Sequence, residues 1–223
     1  MNKILKSLLI AFPLVFGFLA GIPSAFAGTV VTAVGVSSPQ GNFGGSYDLL
    51  NAITATSGLS LSYTDGFTDF GTLVSTATYN GFGGATNTFT GYPQYYLFDL
   101  GSARAIDAIG LWAEKISNDG SPTSFSLYAG TSVSNPLLGT FNSTGGQANA
   151  PGQAFNFAAT TTQYVLFEVL TIDAPPGFSP SIGQVVFDSA AATAVPEPAS
   201  LALVGLGLAG LGFSRRRKQK LVA

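Results

Sequence analysis

Two loop segments contain the side-chain types that bind neutral sugars. One is Tyr79–Phe82, followed closely by Asn87, and the other is Pro175–Phe178. An aromatic ring can pack against the C–H face of a sugar while amide groups orient its hydroxyls. The candidate ligand-binding residues are therefore Tyr79, Asn80, Phe82, Asn87 and Phe178. The alternative interpretation is that Phe82 and Phe178 only close loop ends over the protein core.

Catalytic chemistry is restricted by composition, because the chain has no cysteine and no histidine. That excludes thiolate nucleophiles, Ser-His-Asp triads and metal sites built on either residue type. Carboxylate pairs remain, and glycoside hydrolysis needs two of them facing one cleft about 5 to 9.5 Å apart. Glu114 with Asp119 and Glu168 with Asp173 are the candidate pairs, although each also fits ordinary turn chemistry. We therefore predict that the protein is not an enzyme.

Calcium is the one ion that the acidic residues suggest. Asp65 and Asp69 lie four residues apart in a Gly/Thr-containing loop and could contribute oxygen ligands. The alternative is that both are hydrated turn aspartates. No other cofactor is predicted.

The charge distribution argues against nucleic acid as a partner. Between residues 28 and 192 only Arg104 and Lys115 are basic, against ten acidic residues, which leaves this span at a net charge of −8. Nucleic acids and anionic lipids require a basic surface. Neutral glycans remain compatible with this charge.

The N-terminal residues 1–27 have the three parts of a secretory signal peptide. Lys3 and Lys6 precede an apolar run over residues 8–22, and Ala25 and Ala27 occupy the small-residue cleavage positions. We predict cleavage after Ala27 by the general secretion machinery. An uncleaved membrane anchor is the alternative.

The C-terminal residues form a second targeting segment. A linker over residues 193–198 contains Val195, Pro196, Glu197 and Pro198, and an apolar transmembrane helix is predicted over residues 199–214. The tail 215–223 begins with the basic residues Arg215, Arg216, Arg217 and Lys218. Basic residues favour the cytoplasmic side of a membrane, so the acidic domain is predicted to lie outside.

These C-terminal residues resemble the PEP-CTERM sorting signal. The resemblance implies processing by an exosortase, an inner-membrane cysteine protease-transpeptidase, near Val195–Pro198. It also implies transient anchoring in the inner membrane, followed by release to the cell surface or extracellular matrix of a bacterium that makes exopolysaccharide. A plain single-span anchor is the alternative.

The domain between the two ends, residues 28–192, has the pattern of an all-β sandwich. Short runs of alternating polar and apolar residues are separated by Asn-Gly and Asp-Gly turns. The predicted strands are 59–63, 95–100, 106–112, 125–129, 155–157, 163–170 and 184–187. No amphipathic helix of ordinary length is predicted. Trp112 is expected in the core, and Asp99 is expected to form a local salt bridge with Arg104.

The segment Tyr95–Trp112, with its aromatic strand ending in Asp99-Leu100-Gly101, resembles the central hairpin of discoidin-like domains. Residues 124–129, 163–169 and 183–188 are similar to later strands of that family. The resemblance implies a β-sandwich jelly roll of the galactose-binding-like class, whose members bind glycans through loops at one end. Thr54 and Gln184 stand where the family often has acidic residues, which removes two charges that calcium would use.

Three functions follow as hypotheses, in decreasing order of support. The first is a non-catalytic module that associates with carbohydrate or exopolysaccharide. The second is a purely structural matrix or coat component, and a glycoside-active enzyme comes third.

Overall fold

The computed structural model describes residues 28–54, 58–89, 91–114, 120–146 and 149–190. All of them fall within one compact unit, Phe26–Ala192. The regular elements of these residues are β1 (Val30–Val31), β2 (Gly35–Ser37), a 3₁₀ turn (Leu49–Ala52), helix α1 (Phe70–Thr76), β3 (Gly84–Ala85), β4 (Gln94–Trp112), β5 (Pro122–Ala129), β6 (Leu137–Asn142), β7 (Gln153–Ile172), β8 (Ser181–Ile182) and β9 (Gln184–Ser189).

Both predicted targeting ends lie outside the described residues. They comprise the signal peptide 1–27, the linker and sorting helix over residues 193–214, and the basic tail 215–223. Within the described ranges, no helix is long and apolar enough to span a membrane.

Two long strands, β4 and β7, form the framework of the domain. They pair antiparallel along almost their whole lengths, with a register shift between Asp99 and Arg104. Gly101 lies within this shift and has a φ of +76°, a conformation that glycine adopts without steric cost. The two runs predicted at 95–100 and 106–112 are therefore one strand with an irregular middle. The runs predicted at 155–157 and 163–170 likewise belong to the single strand β7.

Seven strands form one hydrogen-bonded sheet around these two long strands. The order is β1-β9-β4-β7-β5-β6, with β2 also on β4, and a separate pair joins β3 to β8. The first part of β4 pairs with β2, whereas its second part pairs with β9. Residues from both parts of β4 share one hydrophobic cluster with β5, β7 and β9. The predicted all-β sandwich is confirmed.

The main core follows the period-two alternation of the strands. Tyr96, Phe98 and Leu100 of β4 are buried, as are Phe125 of β5 and Phe167 of β7. The rings of Phe125 and Phe167 are stacked with centroids 4.4 Å apart. Burying each such side chain stabilises the fold by about 1.5–3 kcal/mol, so aromatic packing substitutes for the disulfides that this chain cannot make.

A second hydrophobic cluster forms where α1 covers the sheet. It contains Leu73 and Val74 of the helix together with Trp112 and Val186. The Trp112 indole donates a hydrogen bond to the Ala77 carbonyl, with Nε1 and O 2.8 Å apart. Trp112 is 1% exposed, which confirms its predicted core position. This helix, the one α-helix among the described residues of the domain, has only seven residues.

The strand predicted at 59–63 is wrong. Leu59 makes a single β-bridge with Tyr79, and the chain then turns so that Tyr63 enters the second cluster. The Tyr63 hydroxyl donates to the Ile53 carbonyl at 3.1 Å and accepts from the Gln184 amide at 2.7 Å. The alternation in this segment reflects one buried tyrosine and not a ladder of strand pairs.

The predicted salt bridge between Asp99 and Arg104 is also wrong. Arg104 instead binds Asp65, with Nη2 and Oδ2 2.9 Å apart. Asp99 accepts hydrogen bonds from the Gly101 amide and the Gln163 side chain. The register of the β4–β7 ladder shifts between Asp99 and Arg104. The two side chains therefore have different partners.

Candidate functional site

An open cleft of about 410 Å³ lies beside the small β3–β8 sheet. Three chain segments converge there, one before the 3₁₀ turn, one around β3 and one immediately before β8. The cleft is lined by Phe43, Tyr47, Ala85, Asn87, Phe89, Gly177, Phe178, Ser179 and Ser181.

Backbone hydrogen bonds hold these segments together. The Phe43 amide donates to the Ala85 carbonyl at 3.1 Å, and the Ala85 amide donates to the Tyr47 carbonyl at 3.0 Å. On the other side, Ala85 pairs with Ser181 in the β3–β8 ladder. The central segment is thus fixed between its two neighbours, so the cleft is built on strand pairing and not on free loops.

Aromatic rings form the walls of the cleft. Phe43 and Tyr47 meet edge to face with centroids 5.7 Å apart, and Phe82 meets Tyr47 at 5.1 Å. Phe43 is 57% exposed, and Phe178 is 46% exposed. Such rings present apolar faces to solvent at a site that also has polar groups, which is the arrangement that sugar rings use.

A tyrosine outside the lining set supports the Phe178 loop. The Tyr92 hydroxyl donates to the Phe178 carbonyl at 3.2 Å, and the Tyr92 ring packs on Phe89 at 5.5 Å. Burial, together with the Asp173 carboxylate nearby, raises the pKa of Tyr92 to about 12. The hydroxyl therefore stays protonated and remains a donor at physiological pH.

The polar groups of the cleft are neutral. Asn87 is exposed at the rim, and Ser179 and Ser181 lie on the side of the β8 segment. Ser181 is 1% exposed, and its Oγ has no hydrogen-bond partner. None of the nine lining residues is an aspartate, glutamate, lysine or arginine. Recognition here would therefore depend on hydrogen bonds and ring packing.

The structure brings two of the five predicted ligand residues into the cleft. Asn87 and Phe178 line it, and Phe82 flanks it through the Tyr47 ring. Tyr79 is 1% exposed, and its hydroxyl donates to the Phe82 carbonyl at 2.7 Å, which supports the Phe82 loop from below. Asn80 is exposed and lies outside the lining set.

The residues that sequence reasoning missed are the aromatic and hydroxyl side chains of the other segments. Phe43 stands in Gly41-Asn42-Phe43-Gly44, which has the same kind of composition as the segment around Phe82. This similarity could have identified Phe43. Ser181 and Phe89 have no comparable sequence pattern, because their place in the cleft depends on the β3–β8 pairing and the start of β4.

The two calcium candidates have separate protein partners. Asp65 accepts from the Thr32 amide at 2.9 Å and binds Arg104. Burial alone would raise the pKa of Asp65, but the Thr32 hydrogen bonds and Arg104 outweigh it and lower the pKa. Asp69 caps α1 by accepting from the Thr72 amide at 2.6 Å, which lowers its pKa. Among the described residues, no group of three or more His, Cys, Asp or Glu side chains could hold a metal ion.

The candidate catalytic carboxylates also have structural partners. Glu168 accepts from the hydroxyls of Tyr128, at 2.9 Å, and Tyr95, at 3.4 Å. Asp173 accepts from the amides of Gly120 and Gly146. Asp119, the proposed companion of Glu114, lies outside the described residues. The Glu168 and Asp173 carboxylates are therefore each engaged by their own set of donors.

Comparison with known proteins identifies the C-terminal segment. The PEP-CTERM protein-sorting motif matches residues 194–218. This range contains Val195–Pro198 and Arg215–Lys218, so the resemblance of the C-terminal segment is confirmed. The motif indicates export and transient membrane anchoring by the C-terminal region. No curated protein matches this chain significantly.

Several solved structures are similar to the domain at low identity. A family 32 carbohydrate-binding module from C. perfringens NanJ, in complex with galactose, shares 14% identity over 72% of this chain and 98% of its own, with a TM-score of 0.48. The CBM32-1, CBM32-2 and M60 domains of Clostridium perfringens ZmpB share 15% identity over 72% of this chain and 15% of theirs, with a TM-score of 0.49.

A third similar structure is the CBM32 of AlyQ in complex with 4,5-unsaturated mannuronic acid. It shares 22% identity over 71% of this chain and 97% of its own, with a TM-score of 0.43. The assignment of the β-sandwich rests on the strand order and shared core of this protein. Fold and sorting motif together define an exported all-β protein with a PEP-CTERM segment.

Proposed function

We propose that this protein is a non-catalytic carbohydrate-binding component of the cell surface or extracellular matrix, released there after exosortase processing. The cleft around Phe43 and Phe178 binds neutral sugar units, such as those of an exopolysaccharide. The observation that carries the proposal is a cleft whose walls are exposed aromatic rings and whose polar groups are all uncharged.

Charge supports a neutral ligand over an acidic one. The span 28–192 has a net charge of −8, and no lysine or arginine lines the cleft. A uronate-rich polymer would be repelled by this surface and would find no cation for its carboxylates. Sugar hydroxyls can instead pair with the Asn87 amide at the exposed rim and with the half-buried Ser179 hydroxyl.

A glycan array on residues 28–192 tests the proposal, followed by titration of any glycan that binds. Phe178→Ala and Phe43→Ala each remove one ring face, and we expect each to weaken binding by about 5- to 30-fold, which corresponds to about 1–2 kcal/mol. Val133→Ala is the matched control, because Val133 is 47% exposed and lines a separate cleft on the sheet face. It should bind as the wild type does.

Three results would count against the proposal. They are absence of binding to every glycan with and without calcium, preference for anionic glycans, and unchanged affinity in both phenylalanine variants. The structural-coat alternative predicts a different outcome. Exposed aromatic patches also drive self-association, so loss of oligomers in the same variants, without any glycan binding, would favour the coat.

A further inference from the structure

Three aspartates from different elements interact electrostatically near Gly28. Asp188 belongs to β9, Asp107 to β4, and Asp69 caps α1. Both Asp188 and Asp107 have a buried Oδ1 atom without a hydrogen-bond partner. Buried carboxylate oxygens are costly unless a donor or a cation satisfies them. These two oxygens therefore destabilise the fold unless a donor or a cation reaches them.

Gly28 lies directly against this cluster. A Cβ built on Gly28 would be 1.9 Å from Asp188 Oδ1 and 2.4 Å from its Oδ2. Because N and Cβ are bonded to the same Cα and lie about 2.5 Å apart, the Gly28 nitrogen is within about 4.4 Å of Oδ1. Only a residue without a side chain fits here, which leaves the backbone itself next to the carboxylate.

Hydrogen bonds on both sides hold this segment in place. The Gly28 carbonyl accepts from the Phe70 amide at 3.0 Å. The Thr29 amide donates to Ser189 Oγ at 2.9 Å, and the Ser189 amide donates to the Thr29 carbonyl at 2.8 Å. The position of Gly28 is therefore fixed by hydrogen bonds to β9 and α1.

The electrostatics of the cluster call for a positive charge. Burial, reinforced by the Asp107 and Asp69 carboxylates, raises the pKa of Asp188 to about 7. Burial also raises the pKa of Asp107. Arg104 is the one basic side chain among the described residues, and it is bound to Asp65. The described side chains therefore provide no cation for these three carboxylates.

We propose that removal of the signal peptide after Ala27 supplies this cation, because the new α-ammonium group of Gly28 pairs with the adjacent Asp188 carboxylate. Cleavage converts a neutral amide nitrogen into a group with three donors and a positive charge. The mature N-terminus then links the start of β1 to Asp188 of β9 by an ion pair. Signal-peptide removal thus stabilises the exported domain, whereas the chain that still carries its leader keeps unpaired buried carboxylates.

Three forms of the domain, which all end at residue 192 and differ only at the N-terminus, test this proposal. One begins at Gly28 with a free amine, one begins at Ala27, and one begins at Gly28 with an acetylated amine. We expect the free Gly28 form to have a Tm higher by about 3–6 °C at pH 7.5. The gap should shrink as pH falls and the Asp188 carboxylate, whose pKa is raised, becomes protonated, and also above about pH 9, where the ammonium loses its proton.

Asp188→Asn shows whether the aspartate is responsible. This variant should remove most of the Tm gap between the free and acetylated forms. Asp48→Asn is the matched control, because Asp48 caps the 3₁₀ turn elsewhere and an asparagine can also cap. In that control the gap should persist. The titration of the Gly28 nitrogen, followed by ¹⁵N NMR, should give a pKa above the usual range of about 7.7–8.0 for an α-amino group.

Equal Tm values for the three forms at pH 7.5 would overturn the proposal. A gap that survives in Asp188→Asn, or an ordinary α-amino pKa, would overturn it as well. Mass spectrometry of the exported protein gives the native N-terminus, and any start other than Gly28 would also refute it. These outcomes are independent of glycan binding.

Discussion

Arg104 and Asp65 form an ion pair that joins β4 to the loop before α1. The two residues are 39 positions apart in the chain, and their side chains are 37% and 36% exposed. An ion pair with this exposure contributes little, about 0–1 kcal/mol. Its role is to fix the Asp65 loop, which also binds the Thr32 amide.

We predict that Arg104→Gln lowers the free energy of unfolding by no more than about 1 kcal/mol at pH 7. The pKa of Asp65 is lowered in the folded protein, so its contribution is present above the unfolded pKa of about 3.9 and disappears as pH falls through the folded pKa. The difference between wild type and variant should therefore shrink near pH 2.

Urea unfolding at pH 7 and pH 2 measures this difference. Arg104→Lys serves as the control, because lysine keeps the charge but lacks the planar fork of the guanidinium. It should lose less stability than Arg104→Gln at pH 7. An equal loss at both pH values would mean that packing, and not charge, is responsible.

Tyr79 and Phe178 show why residue type alone does not identify a binding residue. Both are aromatic residues in glycine-containing segments, yet Tyr79 is 1% exposed and Phe178 is 46% exposed. The Tyr79 hydroxyl has a backbone acceptor, the Phe82 carbonyl, within the protein. Burial of this kind depends on neighbours distant in sequence, and local composition does not record it.

Helix α1 packs on β4 at a position where the strand has no side chain. A Cβ on Gly110 would lie 2.6 Å from Val74 Cγ2 of the helix and 3.1 Å from Val186 Cγ2 of β9. The absence of a side chain therefore allows the helix to approach the sheet closely. This contact closes the second hydrophobic cluster around Trp112.

We predict that Gly110→Ala destabilises the domain by about 1–3 kcal/mol, because the new methyl group overpacks this contact. Thermal or urea unfolding checks the value. Gly35→Ala is the matched control within β2, since its Cβ would meet nothing nearer than 3.9 Å. That control should change stability by no more than about 0.5 kcal/mol. Equal effects in the two variants would exclude overpacking as the cause.

Strand existence was easier to predict than strand identity. The alternation in Tyr95–Leu100 and in Gln163–Leu170 reflects one buried and one outward face of a strand. This pattern is visible within a single short segment, without knowledge of the strand that pairs with it. Whether two such runs form one strand depends on pairing with a distant partner. The continuity of β4 through Gly101 is decided by its ladder with β7, which no local pattern contains.

The sorting segment indicates that the chain is exported and transiently anchored in the membrane. The matched range 194–218 combines a proline-flanked glutamate, an apolar run and a basic cluster. The apolar run is about 22 Å long as a helix, somewhat shorter than a typical hydrocarbon core of about 30 Å. Such a segment is suited to temporary anchoring.

We predict that joint replacement of Pro196, Glu197 and Pro198 by alanine blocks processing. The protein should remain in the membrane fraction and keep its C-terminal residues, because the apolar run is then not removed. Mass spectrometry of intact protein from membrane and extracellular fractions measures both effects. Thr193→Ala, which lies before the matched range, is the control and should be released normally. Release of the triple variant with the wild-type C-terminus would refute the prediction.

The amino-acid sequence by itself determined the sorting motif, the charge of the domain and its all-β class. These properties are set by composition and by spacings of a few residues, so they can be read without knowing which segments meet. Tertiary structure alone decided that Arg104 pairs with Asp65, that Phe43 and Ser181 join Phe178 in one cleft, and that Gly28 lies against Asp188. Each of these contacts joins residues tens of positions apart, and pairing register and packing select them over nearer partners.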